Sequence, residues 1–274
     1  MQASADTPND FDERLRQRAA MANNDENTLE MKPITVPNSG ARAPGSGRIP
    51  NTPLSVSTIS FLLGSLFSLG TLAFLSGGFS SHWWTTAQLG LFVAAWSAFH
   101  WGEFAVTAGW NREKCSVDSF LLENGAQYHI AHSVALAEYL VTLYFWPSVK
   151  THTYIVALGV ILVLFGQVLR SGAMIHASTN FSHTVAFRRL KSHTLVTDGI
   201  YSIFRHPSYA GFFYWAMGTQ LVLQNPVSFV AFAIVLWRFF NSRIKAEEQA
   251  LIRFFGQNYV QYRSRVGTMI PFIA

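Results

Sequence analysis

The stretch from His193 to Gly211 brings hydroxyls, two imidazoles, a carboxylate and a guanidinium together just ahead of an apolar run. It reads His193-Thr194-Leu195-Val196-Thr197-Asp198-Gly199-Ile200-Tyr201-Ser202-Ile203-Phe204-Arg205-His206-Pro207-Ser208-Tyr209-Ala210-Gly211. Asp198-Gly199 marks a turn. Pro207 suits a first helical position, where its missing donor costs nothing. The backbone amides of that helix start can meet a negatively charged group. A capped loop with no ligand would show the same features. Further along, Arg243 and Glu247 stand four residues apart and share a helical face. Such a pair is worth little on a surface, but beside a pocket it offers opposite charges to a ligand.

Other ionisable residues fall within apolar runs. Glu138 lies in the middle of one, where a carboxylate costs about 3 kcal/mol unless it is partnered. Arg170 and His132 are the candidate partners, either as a helix-orienting pair or as a polar cavity wall. His100 and Glu103 are one turn apart and read as a solvated helix end. His129 and His132 have the same spacing, but no further ligand motif accompanies them, so no metal site is expected. The single Cys115 excludes an internal disulfide and a multi-cysteine metal site.

The elements that carry these residues follow from composition. Of 274 residues, 50% are hydrophobic and only 13% charged, against about 25% charged in soluble domains. The distribution is uneven: residues 1–50 carry net −1 and the remainder +6. A soluble enzyme and a nucleic-acid binder are thereby disfavoured. Residues 1–52 read as a disordered polar tail, Pro/Gly/Ser-rich from Pro33 to Pro53, with a short helix around Phe11–Met21 and no signal peptide. Six spans are then expected: Leu54–Ser76, Trp84–Gly102, Tyr128–Trp146, His152–Leu169, Pro207–Leu223 and Val227–Phe240. Gln224-Asn225-Pro226 makes the last two a tight hairpin. Beyond Phe240 the helical spacing continues through Ile244, Leu251, Ile252 and Phe255, so the helix leaves the membrane and stops at Gly256. Tyr259, Tyr262 and Pro271 belong to a short final segment. The expected organisation is a tail (1–52), N-terminal transmembrane helices (53–150) and a catalytic core (151–274). The fold class is an all-α polytopic membrane protein.

Basic residues gather in alternate loops. Arg42 and Arg48 precede span one, Arg112 and Lys114 follow span two, and Arg188, Arg189, Lys191 and Arg205 follow span four. Arg243, Lys245, Arg253, Arg263 and Arg265 follow span six. The intervening loops hold Lys150 at most. The positive-inside rule puts both termini and the 177–206 loop in the cytosol, where the sequon Asn180-Phe181-Ser182 would stay unglycosylated.

Arg205-His206-Pro207-Ser208-Tyr209-Ala210-Gly211, with Trp215, Asn225-Pro226, Arg243, Glu247, Phe255-Gly256 and Tyr259, resembles the isoprenylcysteine carboxyl methyltransferases. His193-Thr194-Leu195-Val196-Thr197 and Asn180-Phe181-Ser182-His183 extend the resemblance to the eukaryotic members. It covers roughly residues 54–273. It implies an endoplasmic-reticulum membrane enzyme with a cytosol-facing pocket. Such enzymes use S-adenosylmethionine to methylate the C-terminal carboxylate of prenylated cysteine in CaaX proteins of the small-GTPase type. The implied cofactor contacts are His193, Thr194, Leu195, Val196, Tyr201, His206, Pro207, Ser208, Tyr209 and Glu247. Arg243 would meet the substrate carboxylate. The chain departs from the family in two ways: Ala186 stands where some members carry a cofactor-binding Gln, and a polar tail stands where eukaryotic relatives typically have a first helical hairpin.

That reaction suits these residue types. The carboxylate is already ionised, so no strong base and no metal is required. Alignment alone can supply roughly 7–11 kcal/mol. A planar guanidinium is suited to holding a desolvated carboxylate. A prenyl chain would enter from the bilayer, past Phe212, Phe213, Trp215 and Met217, which ordinary core packing would explain equally well. Three alternatives remain at this level: a phospholipid N-methyltransferase, an NADPH-dependent sterol reductase-like enzyme and a non-enzymatic membrane scaffold. Nucleic acid is not an expected partner.

Overall fold

In a computed structural model of the chain, residues 47–79, 82–186, 189 and 193–273 are described. The expected helix at Phe11–Met21 and most of the expected tail lie outside them. Among the described residues the fold is helical: α1 (Pro53–Leu75), α2 (Ala87–Trp110), α3 (Ala126–Phe145), α4 (Thr153–Ala177), α5 (Pro207–Val222), α6 (Pro226–Phe255) and α7 (Gln257–Arg265). The six long helices overlap the six expected spans, with α2 and α4 each running eight residues past the expected end. By length and composition three of them, α1, α4 and α6, are long and apolar enough to cross a membrane. Their outward faces carry unpaired apolar side chains, such as Phe61 at 73% exposure, Val168 at 71% and Val227 at 71%. An exposed apolar surface of this extent belongs in lipid. Residues 47–52, expected to end the tail, instead run against the α2–α3 connection. The Arg48 amide donates to the Glu123 carboxylate at 3.0 Å, and Asn51 Oδ1 accepts from the Val117 amide at 3.0 Å.

Glycines let the helices approach. A Cβ on Gly70 of α1 would fall 2.6 Å from the Gly90 carbonyl of α2, and one on Gly90 would fall 2.7 Å from the Gly70 carbonyl. Between α4 and α5 the same contact occurs twice. Gly166 meets Gly211, where an added Cβ would sit 2.5 Å from the Gly211 carbonyl; Gly218 meets Gly159 at 2.8 Å. Each pair lies seven residues from the next on both helices, so the antiparallel helices stay in contact over two turns. Lipid is as apolar as leucine, so close van der Waals packing takes over the role that water exclusion has in soluble proteins.

Buried charges tie the remaining helices together. Glu103 on α2 is not a solvated helix end: it is 1% exposed, and His100 beside it is fully buried. Its carboxylate takes a bidentate pair from Arg170 of α4, through Nε to Oε1 and through Nη2 to Oε2 at 2.8 Å. Arg170 Nη1 also donates to the Ser208 hydroxyl at 3.0 Å, reaching the start of α5. Arg170 is therefore not the partner of Glu138. Glu138 accepts instead from the amides of Val227 (2.9 Å) and Ser228 (2.6 Å), capping the N-terminus of α6. Lys150 does the converse at the end of α5, donating to the Leu223 and Gln224 carbonyls at 3.0 and 2.9 Å and to Asn225 Oδ1 at 2.8 Å. The hairpin turn is thus clamped by one charge of each sign.

Gly166→Ala should lower the thermal unfolding midpoint in detergent by several degrees, in line with the 1–3 kcal/mol typical of overpacking. Gly64→Ala, where an added Cβ meets nothing within 4 Å, should leave it unchanged or raise it slightly. Glu103→Leu should cost about 3–5 kcal/mol by stranding Arg170, and the double variant Glu103→Leu/Arg170→Met should recover most of that in the same melts.

Candidate active site

Where α4, α5, α6 and α7 meet, a cleft opens. Its walls include Asn180, Phe181 and Ser182 after α4, Thr194, Leu195 and Val196 in the extended segment before α5, Tyr201, and His206 to Tyr209 at the α5 start. Glu247, Leu251 and Phe255 of α6 form the facing wall, and Tyr259 and Tyr262 of α7 close one end. Nine of the ten residues implied as cofactor contacts line this cleft; His193, which precedes Thr194, does not. Ala186 is not among the lining residues.

The α5 start is held rigidly. Arg205 is 5% exposed. Its amide donates to the Gly267 carbonyl at 2.8 Å, its Nε to Glu248 Oε1 at 2.6 Å, and its Nη1 to the Val266 carbonyl. Glu248 also faces His206 Nε2 and Arg263 Nε, each at 3.2 Å. Burial alone would raise the Glu248 carboxyl, but His206 and Arg205 hold it below its ordinary value. Asn180 and Thr194 clasp reciprocally: Asn180 Nδ2 donates to Thr194 Oγ1 at 3.1 Å and the Thr194 amide to Asn180 Oδ1 at 2.9 Å. The Tyr262 hydroxyl donates to the Tyr201 carbonyl at 2.6 Å, and burial pushes the Tyr262 phenol up to about 12.

Arg243 and Glu247 are joined through a third residue. The Tyr209 hydroxyl donates to Glu247 Oε2 at 2.6 Å and accepts from Arg243 Nε at 2.8 Å. The guanidinium lies over the rings of Tyr209 (5.3 Å) and Phe239 (5.8 Å), and its Nη2 donates to the His183 carbonyl. The His183 Nδ1 is 3.6 Å from Glu103 Oε2, and burial pulls that imidazole down to about 4, so the ring is neutral at physiological pH. The result is one cation and one carboxylate, bridged by a phenol, at the junction of an apolar bundle and a polar cleft.

The implied substrate-channel residues fall elsewhere. Trp215, 1% exposed, packs against Phe99 at 4.5 Å and Phe212 at 5.9 Å between α2 and α5. Phe213 and Met217 are buried in the same core. Phe212 is half-buried and also meets Phe240 of α6 at 6.1 Å. Leu251 and Phe255 were missed, although they continue the four-residue step from Arg243 and Glu247 along one helical face. Glu103, Arg170, Arg205 and Glu248 were missed as supports because their partners are remote in the chain.

Comparison with known proteins bears on the family and the fold. Residues 158–253 match the profile of the isoprenylcysteine carboxyl methyltransferase (ICMT) family. The human protein-S-isoprenylcysteine O-methyltransferase is 43% identical over 211 residues, covering 77% of this chain and 72% of its own length. The Saccharomyces cerevisiae protein of the same name is 48% identical over 189 residues, covering 67% and 79%. The solved structure of a eukaryotic intramembrane Ras methyltransferase of this family superposes with a TM-score of 0.75 at 36% identity, over 80% of this chain and 76% of that one. With the identity, the coverage and the superposed fold all in accord, this chain belongs to the isoprenylcysteine carboxyl methyltransferase family.

Proposed function

We propose that the protein transfers a methyl group from S-adenosylmethionine to the C-terminal carboxylate of a prenylated cysteine, at the boundary between membrane and cytosol. The observation that carries this reading is the Arg243–Tyr209–Glu247 bridge, in which Tyr209 and Glu247 line the cleft and Arg243 stands behind them. Arg243 is the group suited to a desolvated carboxylate, because a planar guanidinium can donate to two oxygens at once. It lies against Phe239, which is 47% exposed on the apolar surface, so a lipid-borne carboxylate approaching along α6 meets it first.

The cleft residues fit the cofactor by their chemistry. Leu195, Val196, Pro207, Leu251 and Phe255 offer apolar walls for an adenine, and Glu247, Ser208 and Asn180 offer polar atoms for ribose and amino acid groups. Bound there, S-adenosylmethionine would supply a methyl group on a positively charged sulfur. The protein's own task is then alignment. Tyr209 fixes Arg243 relative to Glu247, Asn180, Phe181 and Ser182 wall the cleft, and the apolar bundle keeps water from the carboxylate. Arg243 holds that carboxylate ionised, so no proton has to be moved. The prenyl chain would stay among the lipid-facing helices. The family relationship and the basic loops support an endoplasmic-reticulum location, with both termini and the cleft facing the cytosol and CaaX proteins of the small-GTPase type as substrates.

Purified protein incubated with labelled S-adenosylmethionine and N-acetyl-farnesylcysteine should produce a base-labile methyl ester; no ester would overturn the reading. Arg243→Ala should reduce kcat/KM about a hundredfold or more while leaving most of the cofactor affinity. Unchanged turnover would remove Arg243 from the site. Glu247→Gln should weaken cofactor binding about tenfold, read by calorimetry. Tyr209→Phe should lower kcat/KM roughly 10–100-fold by releasing both charges from the bridge.

A further inference from the structure

The chain's last described stretch, residues 266–273, has no regular secondary structure, yet six of its eight carbonyls are engaged. The Val266 and Gly267 carbonyls accept from Arg205, through Nη1 and the amide. The Met269 carbonyl accepts from the Tyr214 hydroxyl at 2.6 Å, and the Phe272 carbonyl from the Trp237 indole at 3.4 Å. The Ile270 carbonyl accepts from the Ile273 amide at 3.1 Å, and the Ile273 carbonyl from the Thr268 hydroxyl at 2.5 Å. In hydrocarbon each unmade bond costs several kcal/mol, so carbonyls tied to the neighbouring helices suit the segment to a membrane edge.

The depth of the segment agrees. Arg205 marks the level where α5 begins. Tyr214 is seven residues into that helix, about 10 Å along its axis. The chain therefore turns back and descends beside α5. Tyr214 packs against Phe165 of α4 at 5.6 Å, and Phe165 is itself part of the exposed apolar band. Trp237 lies on the span half of α6. Ile270 and Ile273 point into the bundle and are buried, whereas Met269 is 52% and Phe272 94% exposed. Both outward residues take left-handed backbone, φ 58° and 61°, which costs an L-residue roughly 1–2 kcal/mol. Strain spent on turning a methionine and a phenylalanine outward makes no sense against water, and it is offset if the two side chains enter lipid.

We infer that residues 266–273 form a re-entrant hook whose Met269 and Phe272 side chains lie among the acyl chains of the leaflet in which α5 begins. The occupant of this surface is lipid. Because the hook carries two of the bonds on Arg205, it also ties the edge of the cleft to the bilayer.

The inference stands on the membrane fold alone, so its test needs no substrate. In a Cys115→Ser background reconstituted into phosphatidylcholine liposomes, nitroxides would be placed at Phe272→Cys, Met269→Cys and, as control, Arg265→Cys. Oxygen accessibility should exceed that of a water-soluble nickel chelate several-fold at 269 and 272, with the reverse at 265. Nickel accessibility at 269 and 272 equal to that at 265 would overturn the hook. Dipolar broadening between labels would overturn it too, by showing a second copy on this surface. In the unaltered protein, a membrane-confined diazirine should label the tryptic peptide that begins at Val266, and an unlabelled peptide would count against the hook independently of any variant.

Discussion

The close approach of α4 and α5 at Gly166 and Gly211 is the constraint on which the rest of the structure depends. An added Cβ on Gly211 would fall 2.7 Å from the Arg170 amide, so the arginine is fastened to the very backbone that leads into the cleft. From there its guanidinium has two directions to satisfy. One is Ser208 at the start of α5, and the other is Glu103 of α2. A side chain on either glycine would part the helices, and the Ser208 contact and the cleft floor would part with them. Burying an ion pair is not in itself a source of stability. Here its geometric value is plain: it makes three helices agree on one relative placement.

The same logic governs the opposite end of the hairpin. α5 and α6 are joined by three residues, and the register between them decides whether Tyr209 can reach both Arg243 and Glu247. Lys150 on the last carbonyls of α5 and Glu138 on the first amides of α6 complement the two helix dipoles. They also anchor the turn to α3 and to the segment after it. A rigid turn at one end and a continuous helix through Phe255 transmit that register along the full length of α6. The polar groups that cost most to bury are thus used where the helices change direction.

Much of this was legible in the sequence, and the boundary has a physical cause. Helical periods, the Asn225-Pro226 turn and Gly256 as a stop are local properties, so the six long helices, the run of α6 beyond Phe240 and the α5 start at Pro207 could be read directly. The grouping of Thr194 to Val196 with His206 to Tyr209 and Glu247 came from family resemblance, and the cleft brings them together. What could not be read was pairing across the fold. Arg170 stood as a candidate partner of Glu138 and Glu103 as a solvated helix end, since every such partner is dozens of residues away in sequence. Trp215 could be read as a channel wall or as core packing alike, because an apolar helix shows no preferred side until its neighbours are known.

Adjacent glutamates on α6 show how fine the resulting division is. Successive residues on a helix point about 100° apart, so Glu247 and Glu248 cannot serve one site. Glu248 turns to Arg205, His206 and Arg263, and its charge is absorbed in holding the α5 start and the α7 end together. Glu247 turns into the cleft and meets only the Tyr209 hydroxyl among the contacts described above. The wall therefore offers one carboxylate beside one guanidinium, with the phenol setting their spacing. That arrangement has the charge pattern wanted by a cationic donor and an anionic acceptor whose charges cancel as they react. A low-dielectric boundary favours such a cancellation, because the separated charges lose more from desolvation than the state in which they are merging.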